Sequence, residues 1–144
     1  MVEPIRRTLT ISAPPAQVLS VVTDFENYPK WQKEVESAEV LDRDEQGRPL
    51  RAKMTAVAMG MKTSYEIAVT YSDGGVEWHL VEADSMTQND TKYAARENGA
   101  GGTDLDCEML LGLKFNLPEF MMKQIIAKGV NDNLKAIKKV AEAG

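Results

Sequence analysis

Residues 117–143 carry the one long helical pattern in the sequence, and almost everything before them alternates as strands do. Met122, Ile126, Val130, Leu134, Ile137 and Ala141 recur every three or four residues as a single apolar stripe, with Lys128, Lys135 and Lys139 on the opposite side. Pro118 stands where a first helical turn tolerates a missing N–H. Such a helix lies on another layer and is not buried all round. Two residues interrupt the stripe. Gly129 sits at its edge, where glycine costs roughly 0.5–1 kcal/mol relative to alanine, and Asn133 projects near its centre. Gly129 either lets a strand come close or fronts a cavity, and a larger side chain there is expected to be harmful. Asn133 either finds a backbone partner or stands as a polar group inside that cavity.

The rest of the chain reads as strands and turns around two short helical pieces. Residues 5–11 alternate, with Ile5, Leu9 and Ile11 on one side and Arg6, Thr8 and Thr10 on the other. Ser12-Ala13-Pro14-Pro15 ends that strand, and Ala16, Val18, Leu19 and Val22 give a short helix ending near Thr23. Phe25, Tyr28 and Trp31 follow in a segment dense enough in aromatics to plug one end of a core. Strands are then expected over 35–41, 50–58, 62–71, 76–83, 86–97 and 103–113. The inward side of 35–41 is undecided, because Glu36 and Glu39 fall on opposite parities. Asp73-Gly74 marks a tight hairpin that sets Val69 against Trp78 and Ile67 against Leu80. For the last hairpin, pairing residues whose numbers sum to 200 sets Arg96 opposite Asp104 and Lys92 opposite Glu108, with Tyr93 against Cys107 and Ala95 against Leu105. Successive strands with short connections make an antiparallel meander, which must curl around the helix for both apolar faces to be buried.

Composition narrows the function. At 144 residues the chain fits one domain, 1–144, with a real core. A net charge of −5 argues against nucleic acid or an anionic membrane surface as the main partner. No apolar run approaches the roughly 20 residues of a membrane span. The start of the chain lacks the basic and apolar regions of a signal peptide, so a cytoplasmic protein is expected. His79 is the only histidine and, by alternation, faces away from Trp78, which leaves no triad or His-rich zinc site. Neither a metal nor a cofactor is expected. Cys107 points inward without a histidine to generate a thiolate and reads as a small core residue. Asp104, Asp106 and Glu108 share a face with Arg96 and Lys92 and read as solvated ion pairs. The glycines between 99 and 102 open no helix and form a hairpin loop, not a phosphate cradle.

Taken together, a strand, the short helix opening Ala13-Pro14-Pro15-Ala16-Gln17-Val18, the segment Asp24-Phe25-Glu26-Asn27-Tyr28-Pro29-Lys30-Trp31, a meander and a long helix after Leu117-Pro118 resemble one known family over nearly the whole chain. It is the polyketide cyclase/coenzyme Q-binding subgroup of the START and birch-pollen-allergen-like superfamily (SRPBCC). Trp31, Gln32 and Lys33 stand where the coenzyme Q-binding members usually carry Phe, Leu and Pro. The resemblance implies an α+β helix-grip fold: a curved antiparallel sheet of six to seven strands around the C-terminal helix, with two short helices after the first strand. It also implies an apolar cavity for a hydrophobic small molecule such as a lipid, polyketide or quinone.

The inward set supports a cavity independently. Ala52, Met54, Ala56 and Ala58 are mostly small, and Asn89, Thr91 and Tyr93 are polar, where a sheet packed tightly on a helix prefers Val, Ile and Leu. Small plus polar gives space with a few orienting groups. The expected wall comprises Met54, Ala56, Ala58, Met61, Tyr65 and Ile67 from the early strands. Trp78, Asn89, Thr91, Tyr93, Cys107 and Met109 come from the later ones, and Trp31, Met122, Ile126, Gly129, Val130 and Asn133 from the helices. Met59, Gly60, Met61, Phe115, Phe120 and Met121 are candidates for a portal rim. With no inward carboxylate or histidine expected, general acid/base work would fall to tyrosines, whose ordinary pKa of about 10 suits neutral pH poorly. Binding, transport or sequestration of a hydrophobic molecule is the first reading. The alternatives are a polyketide cyclase or dehydratase that uses cavity tyrosines, and an interaction module whose interior is filled by its own side chains.

Overall fold

The computed structural model describes residues 3–58, 60–114 and 116–144, and for Ala58 and Met61 the backbone alone. The elements follow the order β1 (Ile5–Ile11), α1 (Pro15–Val22), a 3-10 turn (Phe25–Asn27), α2 (Tyr28–Trp31), β2 (Val35–Arg43), β3 (Pro49–Ala58), β4 (Met61–Ser72), β5 (Gly75–Ala83), β6 (Met86–Glu97), β7 (Thr103–Leu113) and α3 (Glu119–Ala143). The seven strands form one antiparallel sheet in the order β1-β7-β6-β5-β4-β3-β2. β2 to β7 are a simple meander, and β1 returns to pair with β7. All six residues of the helical stripe are buried. The helix opens one residue after Pro118, whose carbonyl accepts the backbone N–H groups of Met121 and Met122.

Both hairpin registers agree with the alternation. Val69 faces Trp78 and Ile67 faces Leu80 across β4 and β5, and Gly74 takes the left-handed conformation (φ 71°) that this tight turn requires. Arg96 faces Asp104, Tyr93 faces Cys107 and Ala95 faces Leu105 across β6 and β7.

The side-chain pairs on the outer face differ from the expected ones. Arg96 reaches diagonally to Asp106, at 3.1 and 3.2 Å, instead of to Asp104 directly opposite. Glu108 is taken by Arg6 at 2.8 Å and not by Lys92. β1, on the other side of β7, offers Thr10 to Asp104, Thr8 to Asp106 and Arg6 to Glu108. Long side chains on a pleated sheet reach diagonal neighbours, and Arg96 shares Asp106 with Thr8.

The undecided strand has a local explanation. Val35 pairs with Ala56 and Ser37 with Thr55, so two residues of β2 span one step of β3 and Glu36 forms a bulge. A bulge inverts the parity of everything after it. Val35 is buried before it, Ala38 and Val40 are half-buried after it, and Glu36 and Glu39 are both exposed.

One end of the interior is packed solid. Ile11, Val18, Val22, Leu105 and Ile137 are fully buried there. α3 packs chiefly on β1, β7 and α1. Hydrogen bonds fasten its last turns: the Gln17 side-chain amide donates to the Ala141 carbonyl at 2.6 Å, the Ser12 N–H to Glu142 at 2.8 Å, and Lys138 Nζ to the Thr10 carbonyl at 3.2 Å. Thr103 adds a buried tie from its hydroxyl to the Ala13 carbonyl at 2.7 Å. Phe25 stacks edge-on to Trp78 with centroids 5.2 Å apart, and Tyr28 lies 5.2 Å from Phe25 and 4.7 Å from Trp31. The aromatic segment does plug the core.

Candidate functional site

Toward the other end of α3 the helix and sheet part to leave a cavity of about 240 Å³. Its wall follows from the alternation: inward residues of β3 (Met54, Ala56), β4 (Thr63, Tyr65), β5 (Trp78), β6 (Met86, Asn89, Thr91) and β7 (Met109, Leu111, Leu113) face Met122, Ile125, Gly129 and Asn133 of α3. Tyr28, Gln32, Glu34, Val35 and Ser85 complete it. Thus Met54, Ala56, Tyr65, Trp78, Asn89, Thr91, Met109, Met122, Gly129 and Asn133 are brought together as the sequence suggested.

Six other expected residues lie elsewhere. Ile67, Tyr93, Cys107, Ile126 and Val130 are almost fully buried in the packed core and leave no open surface to a guest. Their inward parity is right, but they sit where facing side chains meet. Trp31 ends α2, leans on Tyr28, and lines a separate hollow with Lys128 and Asp132. The side chains of Ala58 and Met61, and Met59 and Phe115 as a whole, lie outside the described residues. Of the remaining rim candidates, Phe120 is 64% exposed and Met121 half-buried.

Gly129 corrects an expectation. A Cβ built on it meets nothing within 4 Å, so no strand approaches and alanine fits without strain. The glycine fronts the cavity. Asn133 borders the cavity from α3.

The polar groups of the wall fall into two sets. On β6, Thr91 Oγ1 donates to Asn89 Oδ1 at 2.8 Å, so these two satisfy each other in part. On β4, Tyr65 has only the Met54 sulfur, 4.0 Å from its hydroxyl, a weak acceptor. Two residues earlier on the same face, Thr63 Oγ1 is the one buried side-chain oxygen or nitrogen without a hydrogen-bond partner among the described residues. A hydroxyl left that way costs on the order of 1–3 kcal/mol.

Two carboxylates depart from the expectation. Glu66 is buried, but on the outer face of β4 beneath Arg51, with which it forms an ion pair. Glu34 joins the cavity wall just before β2, at an exposed position, and is the only charged side chain there among the described residues. Parity does not locate it, because it lies in the bend between α2 and β2. Thr63, Leu111 and Leu113, by contrast, share parity with Tyr65 and Met109 and were findable by extending those strands.

Burial sets the protonation of the interior. Tyr65 is pushed up to about 12, first by burial and then by the Glu34 carboxylate. Burial likewise raises Tyr28 and Tyr93 well above the ordinary tyrosine value, and lifts the Cys107 thiol to about 12. A thiol so placed is unreactive at neutral pH. His79 lies outside with Nδ1 2.7 Å from Asp90. Among the described residues no group of three or more His, Cys, Asp or Glu side chains is arranged to hold a metal ion. Nor, among them, is any helix long and apolar enough to cross a membrane.

A curved antiparallel sheet, a long gripping helix and a cavity between them define the START-like helix-grip class. The family model described as polyketide cyclase/dehydrase and lipid transport matches residues 11–138, and the chain belongs to that family. Among solved structures it is similar to a START superfamily protein from Mycobacterium smegmatis, at 23% identity over 98% of both chains with a TM-score of 0.91. It is also similar to the Zhui aromatase/cyclase from Streptomyces sp. R1128, at 15% identity over 96% of this chain and 93% of that one (TM-score 0.82). A STAR-related lipid transfer protein fragment from Xanthomonas axonopodis matches at 14% identity over 97% and 86% (TM-score 0.77). At these identities the likeness is one of fold. Comparison with curated proteins by sequence gives no match.

Proposed function

We propose that this protein binds a compact hydrophobic small molecule in the cavity between α3 and the sheet, as a carrier or sequestering protein. The observation that carries this reading is the cavity itself: a wall of Met, Leu, Ile and Trp side chains between α3 and the sheet, with hydrogen-bonding groups among them. Membership in a family of polyketide cyclases and lipid transporters agrees with it. Binding is favoured over cyclase or dehydratase chemistry by the protonation of the wall. Such a reaction needs a proton acceptor poised inside the cavity; Tyr65, pushed up to about 12, holds its proton at neutral pH, and the one carboxylate of the wall among the described residues, Glu34, stands at an exposed position at its edge.

Filling the cavity tests the reading. Because a Cβ on Gly129 meets nothing within 4 Å and the residue borders the cavity, Gly129→Phe is expected to keep the fold while lowering affinity for naphthalene, followed by its fluorescence, at least about tenfold. Native mass spectrometry of the purified wild type should show a co-purified apolar molecule that the variant lacks. Equal naphthalene uptake by the two proteins, with both folded, would remove the cavity from the function.

A further inference from the structure

The chemistry of the guest is written in how unevenly the wall is satisfied. On β6, Thr91 Oγ1 donates to Asn89 Oδ1 at 2.8 Å. The buried hydroxyl left without any partner among the described residues is on β4, where Thr63 Oγ1 stands alone and the Tyr65 hydroxyl has only a sulfur at 4.0 Å. Glu34 borders the same cavity from just before β2, beside the row in which Val35 pairs with Ala56 and Ala56 with Thr63. The Glu34 carbonyl is held by the Val57 N–H at 2.8 Å, which anchors the backbone at the mouth.

We propose, building on the binding function above, that the cavity takes an uncharged, hydroxyl-bearing apolar molecule whose hydroxyl is held at Thr63 and Glu34, and that it rejects a carboxylate on the same carbon frame. A carboxylate accepts hydrogen bonds and donates none, so it offers nothing to Glu34 and meets it as a like charge. No lysine or arginine lines the cavity among the described residues to offset that. Glu34 also borders the neighbouring hollow, where Lys33, Lys128 and Lys135 stand, and there Lys128 is engaged by Asp132 at 2.6 Å. A hydroxyl donates to Glu34 and accepts from Thr63, whose own O–H rotates to suit. The raised pKa of Tyr65 agrees, since it reports a setting that disfavours negative charge.

The probes are naphthalene, 2-naphthol and 2-naphthoate, titrated by their own fluorescence at pH 7 and fixed salt. Wild type should bind 2-naphthol at least about tenfold more tightly than 2-naphthoate, because an unpaired buried carboxylate is costly. Thr63→Val should weaken 2-naphthol by about two- to tenfold and leave naphthalene unchanged, with Thr63→Ser restoring the loss. Glu34→Gln should strengthen 2-naphthoate by about threefold. Naphthalene separates the two levels of the argument. If it binds while 2-naphthol and 2-naphthoate bind equally, or while neither substitution moves its probe, the hydroxyl preference is wrong and the cavity function stands. If none of the three binds, both fall.

Discussion

The two halves of α3 have opposite relations to the sheet. The C-terminal half is locked: Leu134, Ile137 and Ala141 are buried, and Gln17, Ser12 and Lys138 fasten its last turns to α1 and β1. The N-terminal half is packed along one edge only: Ile126 and Val130 are fully buried, whereas Met122, Ile125, Gly129 and, at mid-helix, Asn133 border the cavity, the opening turn has no side-chain cap, and Phe120 lies largely in solvent. One helix thus works as a clamp at one end and as a cavity wall at the other. A chain of this size can leave about 240 Å³ empty because the closed end supplies most of the close packing that interiors need.

Breaking each half in turn gives the largest expected contrast. Ile137→Ala removes a fully buried side chain from the clamp and should cost about 2–5 kcal/mol of unfolding free energy. Met122→Ala removes one that already borders a void. Its loss should be nearer about 1–2 kcal/mol, since no well-packed surroundings are left unfilled. Urea denaturation of both variants checks this, and equal losses would mean that the cavity end is as tightly packed as the other.

Alkaline titration sharpens the same contrast. All four tyrosines are raised by burial, Tyr65 and Tyr71 to about 12, and Tyr28 and Tyr93 well above the ordinary value. A tyrosine whose folded pKa exceeds its unfolded value of about 10 contributes stability that is complete below pH 10 and is lost as pH climbs through the folded value. Phenolate absorbance should therefore stay flat through pH 10. It should then rise only as pH climbs through the raised values, and Tyr65→Phe should remove one tyrosine's share of that rise. A full four-tyrosine transition centred near 10 would show that the interior admits water at both ends.

How much of this was legible in the sequence depended on periodicity. The stripe of α3, the hairpin registers and the inward parity of Tyr65, Asn89 and Thr91 are all readable because one face must be buried and a slip of one residue would expose it. Parity says which side chains point inward; it does not say which meet a partner and which meet space. That is why Tyr93, Cys107, Ile126 and Val130 read like cavity residues and are core. The bulge at Glu36 hid the face of β2 by inverting its parity midway. Glu34 and Gln32 were invisible because the bend between α2 and β2 has no period at all.

The smallest effect is the most direct test of the contrast, because it turns on a single methyl group. Glycine within a helix is costly through backbone entropy, and alanine relieves that cost only where its Cβ has room. At Gly129 a Cβ meets nothing within 4 Å. Gly129→Ala should therefore raise stability by about 0.4–1 kcal/mol and, because the methyl enters the cavity, weaken naphthalene binding only slightly. A calorimetric melt alongside the naphthalene titration reads both. A loss of stability would mean that the helix closes onto the sheet in solution, and the cavity along its N-terminal half would be gone.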